Sequence, residues 1–423
     1  MKTTIVRLGT AALASVMLSV TTETEAAALF ISNLFEPTFS DGRIETVQTD
    51  GTGRRVLREV GGGLRGLAID VAGGDLFWSD VNTDRIELVR LDNPSVIPTG
   101  IITSGLQFAI DLEVSASAEK LFWADQSLGE IAISNLNGSN QTVLFSAAST
   151  SAIGVDDVNG KIYSEDRSTA ALGSIVKFNF DGSGFETVIT NVPTANAIAI
   201  DPIREYVFWT SSAGLSEGNG GVYRVNFDGT DFREIFVMGS NLDTGGIALD
   251  LAKEYVYWGQ ETANNRSDIY RMKLDGSSPE VVSTGYGNIS DMVLVSEFPT
   301  IVVSIDIKPG RRMNKINPKS RGGIWVAVLS GSEFDPLQID IPTVRFGPDE
   351  AKAIRYRVKD INRDGLGDLL LRFKIRKTGI ACGDSEATLT GETFGGQSIT
   401  GTDSLKTVGC KRKHLRDHDE HGD

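Results

Sequence analysis

Apolar and polar positions recur over the first three hundred residues of this chain with a period near 45. Each period opens on an apolar run closed by Asp: Leu67-Ala68-Ile69-Asp70, Ile153-Gly154-Val155-Asp156, Ile198-Ala199-Ile200-Asp201 and Ile247-Ala248-Leu249-Asp250, with Ser115 at this place in one copy. Seven residues later comes an aromatic core: Phe77-Trp78-Ser79-Asp80, Phe122-Trp123-Ala124-Asp125, Phe208-Trp209-Thr210-Ser211 and Tyr257-Trp258-Gly259-Gln260. Two weaker copies are Tyr163-Ser164-Glu165-Asp166 and Phe30-Ile31-Ser32-Asn33. The leading aromatics are 47, 45, 41, 45 and 49 residues apart, and four of the five tryptophans share one repeat position. An alternating stretch follows each core. It ends in Asp50-Gly51, Asn137-Gly138, Asp181-Gly182, Asp228-Gly229 or Asp275-Gly276, pairs that supply the positive φ of a tight hairpin. One copy has Asp92-Asn93-Pro94 instead. A short apolar run such as Thr187-Val188-Ile189 closes the period. Four strands per period, repeated six times, predict an all-β chain with a six-bladed β-propeller.

The first period starts at its second strand, and the missing strand recurs at the far end as Asp291-Met292-Val293-Leu294-Val295. This predicts ring closure by strands from both ends of the repeat region, which removes exposed sheet edges and ties down the termini.

These residues resemble the YWTD, or low-density-lipoprotein-receptor class B, repeats of six-bladed propellers over about residues 29–298. No copy reads Tyr-Trp-Thr-Asp in full. The resemblance implies an architectural motif, with Trp78, Trp123, Trp209 and Trp258 packed between blades and Asp80, Asp125 and Asp166 bonded to the backbone of neighbouring strands; a direct ligand role for these three acids is the alternative. Buried carboxylates of that kind are expected to be satisfied.

Residues 1–28 read as a secretory leader. Lys2 and Arg7 precede the mostly apolar stretch Leu8 to Val20, and small residues at 24–28 offer a cleavage region. An uncleaved anchor is the alternative, although the stretch is short for a membrane span. The expected compartment is outside the cell or the bacterial periplasm, with no membrane span left after leader removal. The formal charge of −15 argues against a nucleic-acid partner, which requires basic stripes.

After Glu297-Phe298-Pro299 the texture changes to short β-rich runs separated by Gly, Pro and Asp, predicting a small antiparallel sandwich over 299–410. This region is similar to a domain found at the C-termini of secreted bacterial proteins. Cys382 and Cys410, the only cysteines, are expected to pair in an oxidising compartment, with a free thiol or metal role as the alternative. A loop of that size contributes about 3 kcal/mol in the chain-entropy view. Asp360-Ile361-Asn362-Arg363-Asp364-Gly365-Leu366-Gly367-Asp368 sets oxygen ligands in calcium-loop spacing. Asp360, Asn362, Asp364, the Leu366 carbonyl and Asp368 would ligate a structural calcium ion, without a bidentate Glu at position 12. An Asp/Asn-rich turn capped by its own backbone is the alternative. The tail 411–423 is densely charged and holds all three histidines, His414, His418 and His421, as a solvated segment or a transition-metal ligand set.

The propeller region contains no histidine, so acid–base chemistry through imidazole is closed there. No nucleophile elbow or phosphate-binding loop is present. The expectation is a non-enzymatic binding or scaffold module. Its longer connections (Asn33–Arg43, Arg167–Ser174, Ser211–Gly221 and Glu261–Asp268) would meet an extracellular protein or glycan. A calcium-dependent hydrolase or lactonase working in the propeller channel is the alternative.

Overall fold

A computed structural model describes residues 27–410 except 36–40, 93–95, 148, 168–171, 213–218, 241–242, 263–265, 297–299, 332–333 and 395–396. The leader up to residue 26 and the histidine-bearing tail therefore lie outside the described residues. So does the expected domain boundary at 298–299.

Six four-stranded antiparallel sheets follow the repeats. The first joins Asn288–Val295 to Ala28–Phe35, Asp41–Gln48 and Arg55–Gly61, so its strands come from both ends of the ring. The expected closing strand is thus present, and the strand next to it begins at Ala28, one residue before the expected start. The inner strands of blades two to six are Leu64–Asp70, Ala109–Ser115, Ile153–Asp156, Ala197–Asp201 and Thr244–Asp250. Each packs beside the inner strands of the blades on either side, closing the ring.

The paired aromatics explain the ring. Adjacent residues of a strand point to opposite faces, so each Phe-Trp or Tyr-Trp pair serves two interfaces. Phe30 meets Trp78 between blades one and two, and Phe77 meets Trp123 between two and three. Tyr163 meets Trp209 between four and five, and Phe208 meets Trp258 between five and six. Tyr257 closes on Leu29 and Ile31 between six and one. Between blades three and four the tryptophan position holds Ser164. Phe122 there packs on Phe180 at 4.9 Å, and Phe145 on Phe178 at 5.5 Å. The four repeat tryptophans are all at most 4% exposed.

The carboxylates that close the inner strands cap the turns that follow. Asp201 accepts from the amides of Ile203 and Arg204, and Asp156 from Val158 and Asn159. In blade three Ser115 receives the Ala118 amide and donates to Asp157 of the next blade, so the missing carboxylate is supplied by a neighbour.

Two of the expected long connections are shorter than their polar sequences suggest. Asn33 pairs with Arg43 and Phe35 with Asp41, while Thr262 pairs with Arg266. The ladder extends because its polar residues are satisfied internally. Asn33 and Glu45, both at most 2% exposed, bond each other at 2.7 Å, and Arg54 closes on Glu45 at 2.7 Å.

The C-terminal unit is a two-sheet sandwich. One sheet orders Ile301–Val302, Ser398–Ser404, Glu386–Glu392, Arg345–Phe346 and Ala351–Lys352, and the other Ile305–Ile307, Gly323–Val328, Asp368–Lys374 and Arg355–Lys359. Its core includes Ile307, Val326, Phe346, Leu371, Phe373 and Leu389. The expectation of a purely antiparallel arrangement needs one correction. Residues 301–302 run parallel to 399–400, and 315–316 parallel to 406–407, where the entering chain lies beside the C-terminal strands of the domain. Cys382 and Cys410 are disulfide-bonded.

The Asp-Gly turns dock blade on blade. Gly229 sits at φ +82°, and a Cβ there would lie 2.1 Å from the Val188 carbonyl oxygen of the preceding blade. Gly160 also has positive φ, at +63°, but a Cβ there meets nothing within 4 Å. Urea denaturation of Gly160→Ala is expected to show a loss of about 1 kcal/mol, the local backbone cost alone. Gly229→Ala should lose at least about 2 kcal/mol more, through the interblade clash. Equal losses would show that the turn does not brace the interface.

Candidate functional site

The expected architectural acids do not act alike. Asp125 accepts from the backbone of Gln107, Phe108 and Leu128, holding the entry to its own blade. Asp80 accepts from the Asn82 amide in its own turn. Asp166 ends the strand Lys161–Asp166. The neighbouring Glu165 crosses to the next blade, accepting from the Ala195 amide at 2.9 Å and from Ser151 at 2.7 Å, with Arg167 at 2.7 Å. Burial raises the Glu165 carboxyl, and Arg167 opposes that shift.

At the tip of the hairpin between Arg355–Lys359 and Asp368–Lys374, the calcium-type loop turns its oxygens onto its own amides. Asp360 accepts from Arg363 and Gly365, and Asp364 from Leu366. Asn362 donates to Asp364. Asp368 is fully buried and binds the amides of Ser330 and Ile361. Among the described residues, no three His, Cys, Asp or Glu side chains are grouped to hold a metal ion.

A second acidic group lies in the heart of the ring and was not apparent from the sequence. Asp111 and Asp291 occupy equivalent places on the inner strands of blades three and one, where the other blades carry Gly66, Ala152, Ala197 and Gly246. Each reaches across to the next blade. The Leu67 amide donates to Asp291 at 2.7 Å, and the Ile153 amide donates to Asp111 at 2.7 Å. Glu113 lies two residues beyond Asp111 on the same side of its strand. Burial pushes the Asp291 carboxyl up to about 7 against its two amide donors. Burial first, and then the charge of Asp291, hold Asp111 and Glu113 well above the usual carboxylate range. Carboxyls that keep a proton near neutrality can serve as general acids. The signal was two acids at a repeat position otherwise filled by Gly or Ala.

The face carrying the connections between second and third strands is polar. Ser212 and Thr244 receive the Asn196 side-chain amide, Ser212 also donates to Asp243, and Asp243 is exposed. The middles of all four longer connections lie outside the described residues. The sandwich domain meets the opposite, short-turn side. Arg55 lies 3.9 Å from Asp340, and a groove of about 920 Å³ is lined by Gly73, Gly74, Arg90 and Asp92 of the propeller and by Phe334 and Gln397 of the sandwich.

No family model matches the chain. A stretch of 92 residues, 21% of this chain and 6% of the relative, is 30% identical to low-density lipoprotein receptor-related protein 5 of Mus musculus. A stretch of 117 residues, 27% of this chain and 24% of the relative, is 29% identical to 3-hydroxyacyl-CoA dehydrogenase-like protein LAM1 of Cochliobolus heterostrophus. The chain thus spans a quarter or less of the length of these curated relatives. Among solved structures, nidogen in a nidogen/laminin complex matches 64% of this chain and 99% of its own, at TM-score 0.53 and 18% identity. TolB of Acinetobacter baumannii matches 64% of this chain and 67% of its own, at TM-score 0.53 and 11% identity. These similarities support the β-propeller fold and a YWTD-like relationship for part of the repeat region.

The channel acids make stability depend on pH. Between the ordinary carboxylate value of 3.8 and about 7, the native state keeps a proton on Asp291 that the unfolded chain releases. Stability therefore falls as pH rises through that window, by at most about 4 kcal/mol from this group. Asp291→Asn keeps an amide-accepting oxygen and removes the titration. Urea midpoints measured across the window should fall less steeply in the variant, and an unchanged slope would contradict this role.

Proposed function

We propose that this protein is an exported binding module that presents the face bearing its second-to-third-strand connections to an extracellular or periplasmic protein or glycan. The supporting observation is the placement of the sandwich domain against the short-turn side, which leaves the opposite polar face open. Nidogen, captured in complex with laminin, is a precedent for the fold as a protein-binding platform. Among the described residues, no helix is long and apolar enough to cross a membrane.

A channel hydrolase or lactonase is the second reading. It rests on Asp111, Glu113 and Asp291, whose raised carboxyls could hand protons to a small substrate.

We propose in addition that the 360–368 hairpin takes up one structural calcium ion. Its donors are carboxylate, amide and carbonyl oxygens, a set suited to a hard cation. Binding would exchange some of the loop's own amide contacts for the ion.

Probing glycan arrays and extracellular-protein arrays with the full chain tests the principal reading. Binding should be reduced at least about tenfold by Asp243→Arg on the open face and unchanged by Thr230→Arg on the short-turn side. Equal sensitivity to both, or lactone hydrolysis abolished by Asp291→Asn with no array binding, would overturn it. For the hairpin, about one calcium per chain is expected, lost in Asp364→Ala. Calcium retained in that variant would place the ion elsewhere.

A further inference from the structure

The C-terminal sandwich is open along one edge. Among the described residues, Arg355–Lys359 is the last strand of its sheet, paired only with Asp368–Lys374, and all five of its residues are exposed. Cross-strand partners share a face. Tyr356 stands opposite Leu371 and Val358 opposite Leu369, and both leucines are core residues. Tyr356 and Val358 therefore lie on the inner face of the sheet, yet they are 62% and 51% exposed. Phe346 of the opposing sheet packs on Phe373 of the neighbouring strand, at 5.0 Å.

The mouth of the sandwich is a cleft of about 830 Å³ with Ile354, Tyr356 and Phe394 in its apolar lining and Asp340, Lys352 and Arg355 among its charged residues. Ile354 and Phe394 are 46% and 45% exposed. The outer face of the same strand has the opposite character. It carries Arg355, Arg357 and Lys359, with the Arg357 guanidinium 4.6 Å above the Trp325 ring and Arg372 beside it. Residues 300–410 hold seventeen Lys and Arg against thirteen Asp and Glu, in a chain whose overall charge is −15.

We propose that this edge is completed by a β-strand from another protein, with apolar residues facing the cleft and acidic residues alternating on the outer side. An unpaired edge supplies backbone donors and acceptors, and the alternation of side chains supplies selectivity. The positive strand argues against its own counterpart from a second copy. Two such edges side by side would set like charges opposite one another, a common device against self-pairing. An acidic strand meets neither obstacle, and its inward residues would bury Tyr356 and Val358.

A nine-residue peptide alternating Glu and Val, titrated into the full chain and followed by fluorescence anisotropy, tests this. Saturable binding is expected, weakening as NaCl is raised from about 50 to about 500 mM. A Lys/Val peptide should bind at least about tenfold more weakly. Arg355→Glu with Arg357→Glu should cost at least about tenfold, and so should Tyr356→Asp with Val358→Asp. All four positions are exposed, so an unchanged thermal midpoint confirms that the variants fold. Amides of 355–359 should gain hydrogen-exchange protection when the Glu/Val peptide is present. No binding, equal binding of both peptides, or binding without that protection would overturn the proposal. So would concentration-dependent dimerisation abolished by Tyr356→Asp, which would make the occupant a second copy.

Discussion

The fold depends on one ladder, Ala28–Phe35 paired with Asn288–Val295. In a propeller each blade is stabilised mainly by the blades on either side, so a ring with an open joint leaves two blades half-supported. Here the joint is a run of backbone hydrogen bonds within a single sheet, and it brings together residues about 260 apart in sequence. Burial of Leu29, Ile31, Tyr257 and Met292 in one interface cluster reinforces it. The cross-blade bond from Leu67 to Asp291 ties the closing strand onward to blade two.

That joint also sets the chemistry of the channel. Asp291 belongs to the closing strand and Asp111 to blade three. Their carboxyls serve first as fasteners between neighbouring inner strands, and the same burial that makes them effective raises their proton affinity. Structural bracing and proton retention are thus two consequences of one placement. An enzymatic reading must ask these residues to leave those amides or to act while bound to them. The binding reading makes no such demand.

Much of the architecture was legible in the sequence because the repeat forces it. Phe77-Trp78 and its copies encode two opposite interfaces in two adjacent residues, and Asp228-Gly229 encodes a turn that only a residue without a side chain can press against the preceding blade. The less legible parts were those where polar residues turn inward. Asn33 looks like a loop residue until its bond to Glu45 is seen, and Glu165 makes a cross-blade contact beside Asp166. Asp111 and Asp291 were hidden for another reason: what marks them is a departure from small residues at one position, not a motif. The calcium-type loop shows the opposite limit, because its spacing suits both an ion and its own amides.

Native-state hydrogen exchange of the backbone tests the ring most directly. Amides of 28–35 and 288–295 should be protected to a level close to that of the inner strands of blades two to six, and should open together with them as one cooperative unit. Rapid, independent exchange of 28–35 while the other blades stay protected would show that this ladder does not hold the propeller closed.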